Sequence, residues 1–264
     1  DVRANLNGIL SELVRQNVDI YLLQEVDFDS WRSYYTNQAD TYRHGLSLNM
    51  ACAYNFKCEF VPYPWPPLGK VESGLVTFTG LNVTEATRES LPVPFSWPVS
   101  MANLKRCLLI ERVPVEGTDR ELVIINLHLE AYDDGEGKCA QTEQLMQILA
   151  AEYRNGNYVI AGGDFNQTFP GGLDKYPIKN DDLWTPGTLD DSMLPDGWRF
   201  AYDTAAPTCR LDNQPYDAES DATQHYVIDG FILSPNVELT SVQTQDDGFQ
   251  FSDHNPVLLS IRLK

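Results

Sequence analysis

The sequence predicts one α/β domain of 264 residues. Apolar residues recur at helical spacing in two stretches, and apolar runs of strand length alternate with them. No internal repeat, low-complexity tract or linker divides the chain. Leu6, Ile9, Leu10, Leu13 and Val14 mark the first helix, which stops near Asn17. Ile20-Tyr21-Leu22-Leu23 follows as a short buried strand that ends at Gln24-Glu25, placing a carboxylate at the strand's carboxyl end. Further strands are predicted at 46–54, 75–79, 106–113 and 121–128. A second helix covers 140–153, with Leu145, Ile148 and Leu149 on one side, and strands near 158–162, 226–233 and 256–262 complete the pattern. The loops at 61–70, 90–100, 131–138 and 170–222 are rich in Pro, Gly and Asp. The last is too long to be structureless in a compact domain, so short helices or turns are expected inside it.

Composition narrows the partners. With 38 acidic against 19 basic residues the formal charge is -19, which argues against a broad basic groove for nucleic acid. Hydrolysis of nucleic acid stays open, because bound ions or a few local cations can reverse the field at one cleft. Cys52, Cys58, Cys107, Cys139 and Cys209 include no Cys-x-x-Cys pair, so neither a zinc site nor a complete disulfide framework is indicated and buried free thiols are expected. No stretch reaches the roughly 18 consecutive apolar residues of a membrane span.

Polar residues at strand ends carry the functional signal. Gly163-Asp164-Phe165-Asn166 follows the apolar run Tyr158-Val159-Ile160-Ala161. Asp164 and Asn166, two apart on an extended segment, would face one ligand together, and Gly162-Gly163 permits close backbone approach. The same letters fit a plain Asp-x-Asn turn, and Asn166-Gln167-Thr168 also matches a glycosylation sequon. Asp253-His254 precede Val257-Leu258-Leu259, and a titratable pair beside a buried strand needs partners. Glu25 and His128 each also fit an ordinary strand end. Asp229 interrupts the apolar run Tyr226–Ile232, and the natural partner of a buried carboxylate is a histidine. Together, carboxylates, a carboxamide and histidines at strand ends suit a hard oxygen-seeking cation and a phosphate group.

Leu22-Leu23-Gln24-Glu25-Val26, Asn126-Leu127-His128-Leu129-Glu130, Gly163-Asp164-Phe165-Asn166, Ile228-Asp229-Gly230-Phe231 and Ser252-Asp253-His254-Asn255-Pro256 resemble, in order, the motifs of the endonuclease/exonuclease/phosphatase superfamily. The resemblance spans about residues 4–263. It implies a four-layer α/β sandwich, with two mixed β-sheets packed face to face, helices outside and a cleft at one sheet edge. It implies that Glu25 binds Mg²⁺ or Mn²⁺ with support from Asp253. Asp164, helped by Asn166, would orient and deprotonate the attacking water. His128 and His254, the latter oriented by Asp229, would contact the scissile phosphate. Glu72 could orient His128 in the same way. Members open with a strand carrying an Asn near the metal, and none precedes the first helix here. A single domain over 1–264 short of its first strand is therefore expected, with that strand upstream of Asp1 together with any targeting signal or membrane anchor, which leaves localisation open.

The implied activity is hydrolysis of a phosphate ester, chiefly a phosphodiester, in nucleic acid, a phospholipid headgroup or a phosphorylated small molecule; the negative charge favours the last two. Arg32, Arg106 and Arg210 are candidate phosphate clamps, although a solvated or ion-paired arginine is the commoner case. Trp31, Tyr34, Tyr35, Tyr63, Trp65, Trp97, Trp184, Trp198 and Tyr202 crowd the loops, where rings can stack on bases, rest on lipid or cover the core. Asp133-Asp134 and Asn180-Asp181-Asp182 read as solvated turns. No protein partner is indicated and a monomer is expected. The alternative from another class is a binding or scaffold protein that keeps the fold without turnover.

Overall fold

A computed structural model of the chain describes residues 2–133, 135–217, 220 and 222–264. Its larger elements are α1 (Val2–Gln16), β1 (Ile20–Asp27), α2 (Gln38–Leu46), β2 (Asn49–Val61), β3 (Gly69–Thr79), β4 (Glu85–Ser90), β5 (Cys107–Pro114), β6 (Glu121–His128), α3 (Glu136–Arg154) and β7 (Tyr158–Asp164). The short pieces β8 (Gln167–Thr168), α4 (Gly172–Lys175), β9 (Gly187–Thr188), β10 (Arg199–Ala201), β11 (Cys209–Arg210) and β12 (His225–Tyr226) follow, before β13 (Asp229–Leu233), β14 (Val237–Thr244) and β15 (Val257–Leu263).

The layers follow from which strand faces are apolar. In β6, Leu122 and Ile124 pack with Ile20, Leu22, Leu259 and Ile261, while Val123, Ile125 and Leu127 pack with Leu145 and Leu149 of α3. A strand apolar on both faces must lie between two layers. It belongs to a six-stranded mixed sheet, ordered β10-β13-β7-β6-β5-β4, in which β6 and β7 run parallel. Opposite it lie the antiparallel sheet β1-β3-β2 and the hairpin β14-β15. Leu6 of α1 and Ala39 and Tyr42 of α2 pack with Val76 and Phe78 outside the smaller sheet. The architecture is the four-layer α/β sandwich.

A polar clamp joins the two sheets. Asn126, buried in β6, donates to the Leu23 and Val76 carbonyls at 3.2 and 3.1 Å and accepts from Gln24 Nε2 at 2.8 Å. The Leu23 carbonyl is free for this because β1 bulges between Leu23 and Val26.

Several elements differ from their sequence reading. Helix α2 escapes the apolar pattern because only Ala39 and Tyr42 are buried; its start is set by Asn37, whose side chain accepts from the Asp40 N–H at 2.9 Å. Strand β4 reads Glu-Ala-Thr-Arg-Glu-Ser, an edge strand with almost no buried face. In β14 a bulge between Leu239 and Ser241 breaks the period of two. Strand β2 starts at Asn49, not 46, and runs on to Val61 through two irregularities in its pairing with β3. The 170–222 region holds α4 and short strand pairs, as its length required.

Cys107 and Cys209 are buried, but Cys52 and Cys139 are exposed and Cys58 is intermediate, so the thiols are not uniformly core. Asp133 is not a solvated turn residue: one carboxylate oxygen accepts from the backbone N–H groups of Gly135, Gly137 and Lys138 at the start of α3. Asp134 lies outside the described residues. Asp181 and Asp182 are exposed.

Among the described residues, β1 pairs only with β3, and β15 only with β14. Their remaining edges line one groove of about 1040 Å³, whose apolar lining includes Ile20, Leu22, Leu122, Ile124, Ile160 and Phe231. Val2 and His254 line it as well.

Candidate active site

Strand register assembles the site. His128 ends β6 and pairs in parallel register with Asp164, the last residue of β7, and Asp164 in turn faces Asp229, the first residue of β13. Three titratable groups thus stand at one level on adjacent strands. Gly163 sits in this row with φ +143°, and a Cβ there would clash with the Leu127 carbonyl, so glycine is what lets β6 and β7 close up beside Asp164. His254 is brought to the row by an isolated bridge between its backbone and Cys209. Its Nδ1 lies 2.9 Å from an Asp229 carboxylate oxygen, and His128 Nε2 lies 3.3 Å from Asp164 Oδ2.

Glu25 enters from the opposite sheet. It occupies the β1 bulge with φ 54°, a left-handed conformation that costs energy in a residue with a Cβ and turns its side chain into the cleft. The side chain is 52% exposed and lies 3.2 Å from Arg32 Nη1. Glu25, His128, Asp164, Asp229, Asp253 and His254 line the same cleft.

The electrostatics separate these groups. Burial and the facing Asp229 carboxylate push Asp164 up to about 7, against His254 and the Asn166 N–H, which donates to it at 2.7 Å. Burial disfavours the His254 cation, but Asp229 and Cys209 outweigh it and hold the imidazolium well above the usual histidine range. His128 goes the other way: burial, with Arg106, His254 and Arg32 around it, keeps it neutral well below that range. Protein packed around Glu25 would raise its carboxyl, yet Arg32, Arg106 and His254 bring it below the ordinary carboxylate value. The cleft therefore combines a carboxylate that titrates near neutrality, a held imidazolium and an ionised glutamate.

Other expected residues fall differently. Asn166 is buried with φ 50°, and its Nδ2 donates to the Leu129 carbonyl at 2.9 Å. The chain has left the extended conformation there, so Asp164 and Asn166 form a turn instead of presenting two side chains to one ligand, and the sequon is buried. Glu72 pairs with Lys70 and Lys57 at 3.2 and 3.6 Å; the carboxylate beside His128 is Asp164. Arg210 sits 3.2 Å from Asp212 and over the Tyr216 ring. Arg32 is committed to Glu25 and to the buried Asp27, which it meets at 3.0 Å. Arg106 is the exception: 2% exposed, 3.9 Å from Glu130, with Nε and Nη1 lacking any hydrogen-bond partner. Its charge acts on Glu25, His128 and Asp164, although Arg106 is not among the residues that line the cleft. Gln24 and Asn126, which fix the bulge that aims Glu25, were not singled out by sequence; a carboxamide inside the run Leu122–Leu127 was the available signal.

The donor set fits a divalent metal. Ligand atoms of Asp164, Asp229 and His254 lie within 4.8 Å of one another, and the Glu25 and Asp253 carboxylates line the same cleft. His254 held as imidazolium is a poor ligand, so the oxygen donors are the ones suited to a hard cation.

The sequence profile of the Endonuclease/Exonuclease/phosphatase family matches residues 4–254. No curated protein is similar enough in sequence to match. Among solved structures, an endonuclease/exonuclease/phosphatase from Beutenbergia cavernae superposes with a TM-score of 0.69 at 17% identity, over 98% of this chain and 66% of that one. This chain thus spans just under two thirds of that relative. Truncated TDP2 from Caenorhabditis elegans gives 0.61 at 18% identity, over 96% and 88%. A mannosyl-6-phosphatase from Bacteroides thetaiotaomicron gives 0.64 at 15% identity, over 99% and 92%. At these identities the likeness is one of fold. The profile match, running through every motif from Glu25 to His254, establishes that the chain belongs to the Endonuclease/Exonuclease/phosphatase family.

Proposed function

We propose that this chain hydrolyses a phosphodiester with Mg²⁺ or Mn²⁺, using Asp164 as general base and His254 as the cationic partner of the phosphate. Family membership and the phosphatase among its structural neighbours support phosphate-ester hydrolysis as the reaction class. The observation that carries the finer reading is the row His128, Asp164, Asp229 on three adjacent strands, closed by His254 at 2.9 Å from Asp229.

A diester resists attack because its oxygens are anionic, so charge must be neutralised as it builds in the transition state. A divalent ion held by Glu25, with Asp253 supporting, would supply that charge and lower the pKa of bound water. Asp164, near neutrality, can accept the water's proton at working pH. His254 donates to a phosphate oxygen, with Asp229 fixing its ring and its charge. Neutral His128 can donate a hydrogen bond without adding a further buried charge. Buried Arg106 adds positive potential behind the site, acting on Glu25 and Asp164.

The test compares bis-p-nitrophenyl phosphate with p-nitrophenyl phosphate, with Mg²⁺, with Mn²⁺ and after chelation. Metal-dependent turnover of the diester supports the reading. Turnover of the monoester alone makes the chain a phosphomonoesterase, and activity unaffected by chelation removes the metal.

A further inference from the structure

Beside the cleft the surface changes character. Residues 60–71 and 91–104 contain no Asp or Glu, in a chain with 38 of them. The two segments meet: Tyr63 Oη donates to the Ala102 carbonyl at 2.9 Å, and Leu68 packs in one cluster with Ala102 and Leu104. Trp31 lies against Gly69, and Arg32, next in the chain, reaches Glu25 in the cleft. The acid-free rim is therefore continuous with the mouth of the site. On it Trp65 is 89% exposed and Trp97 77%, with Val99 and Met101 also exposed.

These side chains cover no core, and an apolar exposed patch at the edge of a cleft marks an interaction surface. We propose that this rim docks the protein on a zwitterionic phospholipid bilayer, with lipid headgroups reaching the cleft. Tryptophan and tyrosine are the residues that settle at a bilayer's interfacial layer, where an apolar body and a polar edge are both satisfied. Both loops are proline-rich: Pro62, Pro64, Pro66 and Pro67 in one, Pro92, Pro94 and Pro98 in the other. Each proline removes a backbone N–H, so these tips carry fewer donors that would need a partner on leaving water. Among the described residues no helix is long and apolar enough to cross a membrane. The charge of -19 repels an anionic surface, which selects phosphatidylcholine-like membranes over acidic ones. A base-stacking platform would need a basic track along the backbone of a nucleic acid, and the two segments hold a single basic residue, Lys70, which is paired with Asp29 and Glu72.

The docking is independent of turnover; only the assignment of headgroups as substrate rests on the phosphate-ester reading. Binding is therefore read without catalysis, by co-sedimentation of the full chain with phosphatidylcholine vesicles and by tryptophan emission. The expected results are vesicle binding with a blue shift, weaker binding as phosphatidylserine replaces phosphatidylcholine at low salt, and a loss of about tenfold or more in Trp65→Ala/Trp97→Ala. Trp65→Phe/Trp97→Phe should retain most of the binding. Both rings are largely exposed, so circular dichroism of the variants should match the wild type. No vesicle binding, binding unchanged in the double alanine variant, or capture of single-stranded DNA in place of vesicles would each overturn the proposal.

Discussion

Asp229 and His254 sit 2.9 Å apart although 25 residues separate them, one at the start of a central strand and the other on a loop bridged to Cys209. The pairing holds a histidine as a standing cation in the cleft where the proposed reaction places a phosphate. Asp229→Asn keeps the shape and removes the charge. Diester turnover, kcat/KM, is expected to fall about 100-fold, with the alkaline limb of the pH profile moving to lower pH as His254 loses the carboxylate that holds its proton. An unchanged alkaline limb would remove His254 from this role.

Asp164 is costly to the fold. Its pKa is raised to about 7 by burial and Asp229, so the folded state binds that proton more tightly than the unfolded chain. The stabilisation is complete below the ordinary carboxylate range and is lost as pH rises through about 7. Asp164→Asn abolishes the titration. The metal-free variant should melt about 5 °C above the wild type at pH 8, and the difference should shrink toward pH 5. Calorimetry across that range checks it; a constant difference would mean the carboxylate is not buried at a cost.

Glu25 is held ionised in a strained turn and is occupied by Arg32. If it is the main metal ligand, Mn²⁺ at about a hundred times its dissociation constant should stabilise the wild type by about 2.7 kcal/mol, and Glu25→Gln should show no upshift at the same concentration. An equal upshift in both would place the metal elsewhere.

The helix-to-strand alternation, β1, β5, β6, β7 and α3 were legible in sequence because both faces of the central strands are apolar and one face of α3 is. The polar strand ends pointed to Glu25, His128, Asp164 and His254 for the same reason: a charged group beside a buried run needs an explanation. Less was legible where periodicity failed. Strand β4 is polar throughout, β14 carries a bulge and α2 buries two side chains. Asn166 could not be placed by counting alternate residues, because its positive φ ends the extended geometry. Nor could the three candidate arginines be ranked before their partners were known; Arg106 stands apart only through donors left unpaired.

The central claim is that the Asp164 and His254 side chains act on one phosphodiester. It is met most directly by measuring bis-p-nitrophenyl phosphate hydrolysis with Mg²⁺ or Mn²⁺ in the wild type, Asp164→Ala and His254→Ala, each shown to be folded. Metal-dependent turnover in the wild type, falling at least about 100-fold in each variant, is the expected result. Turnover that survives either substitution, or no turnover of this or any natural diester by a folded, metal-bound wild type, would contradict it.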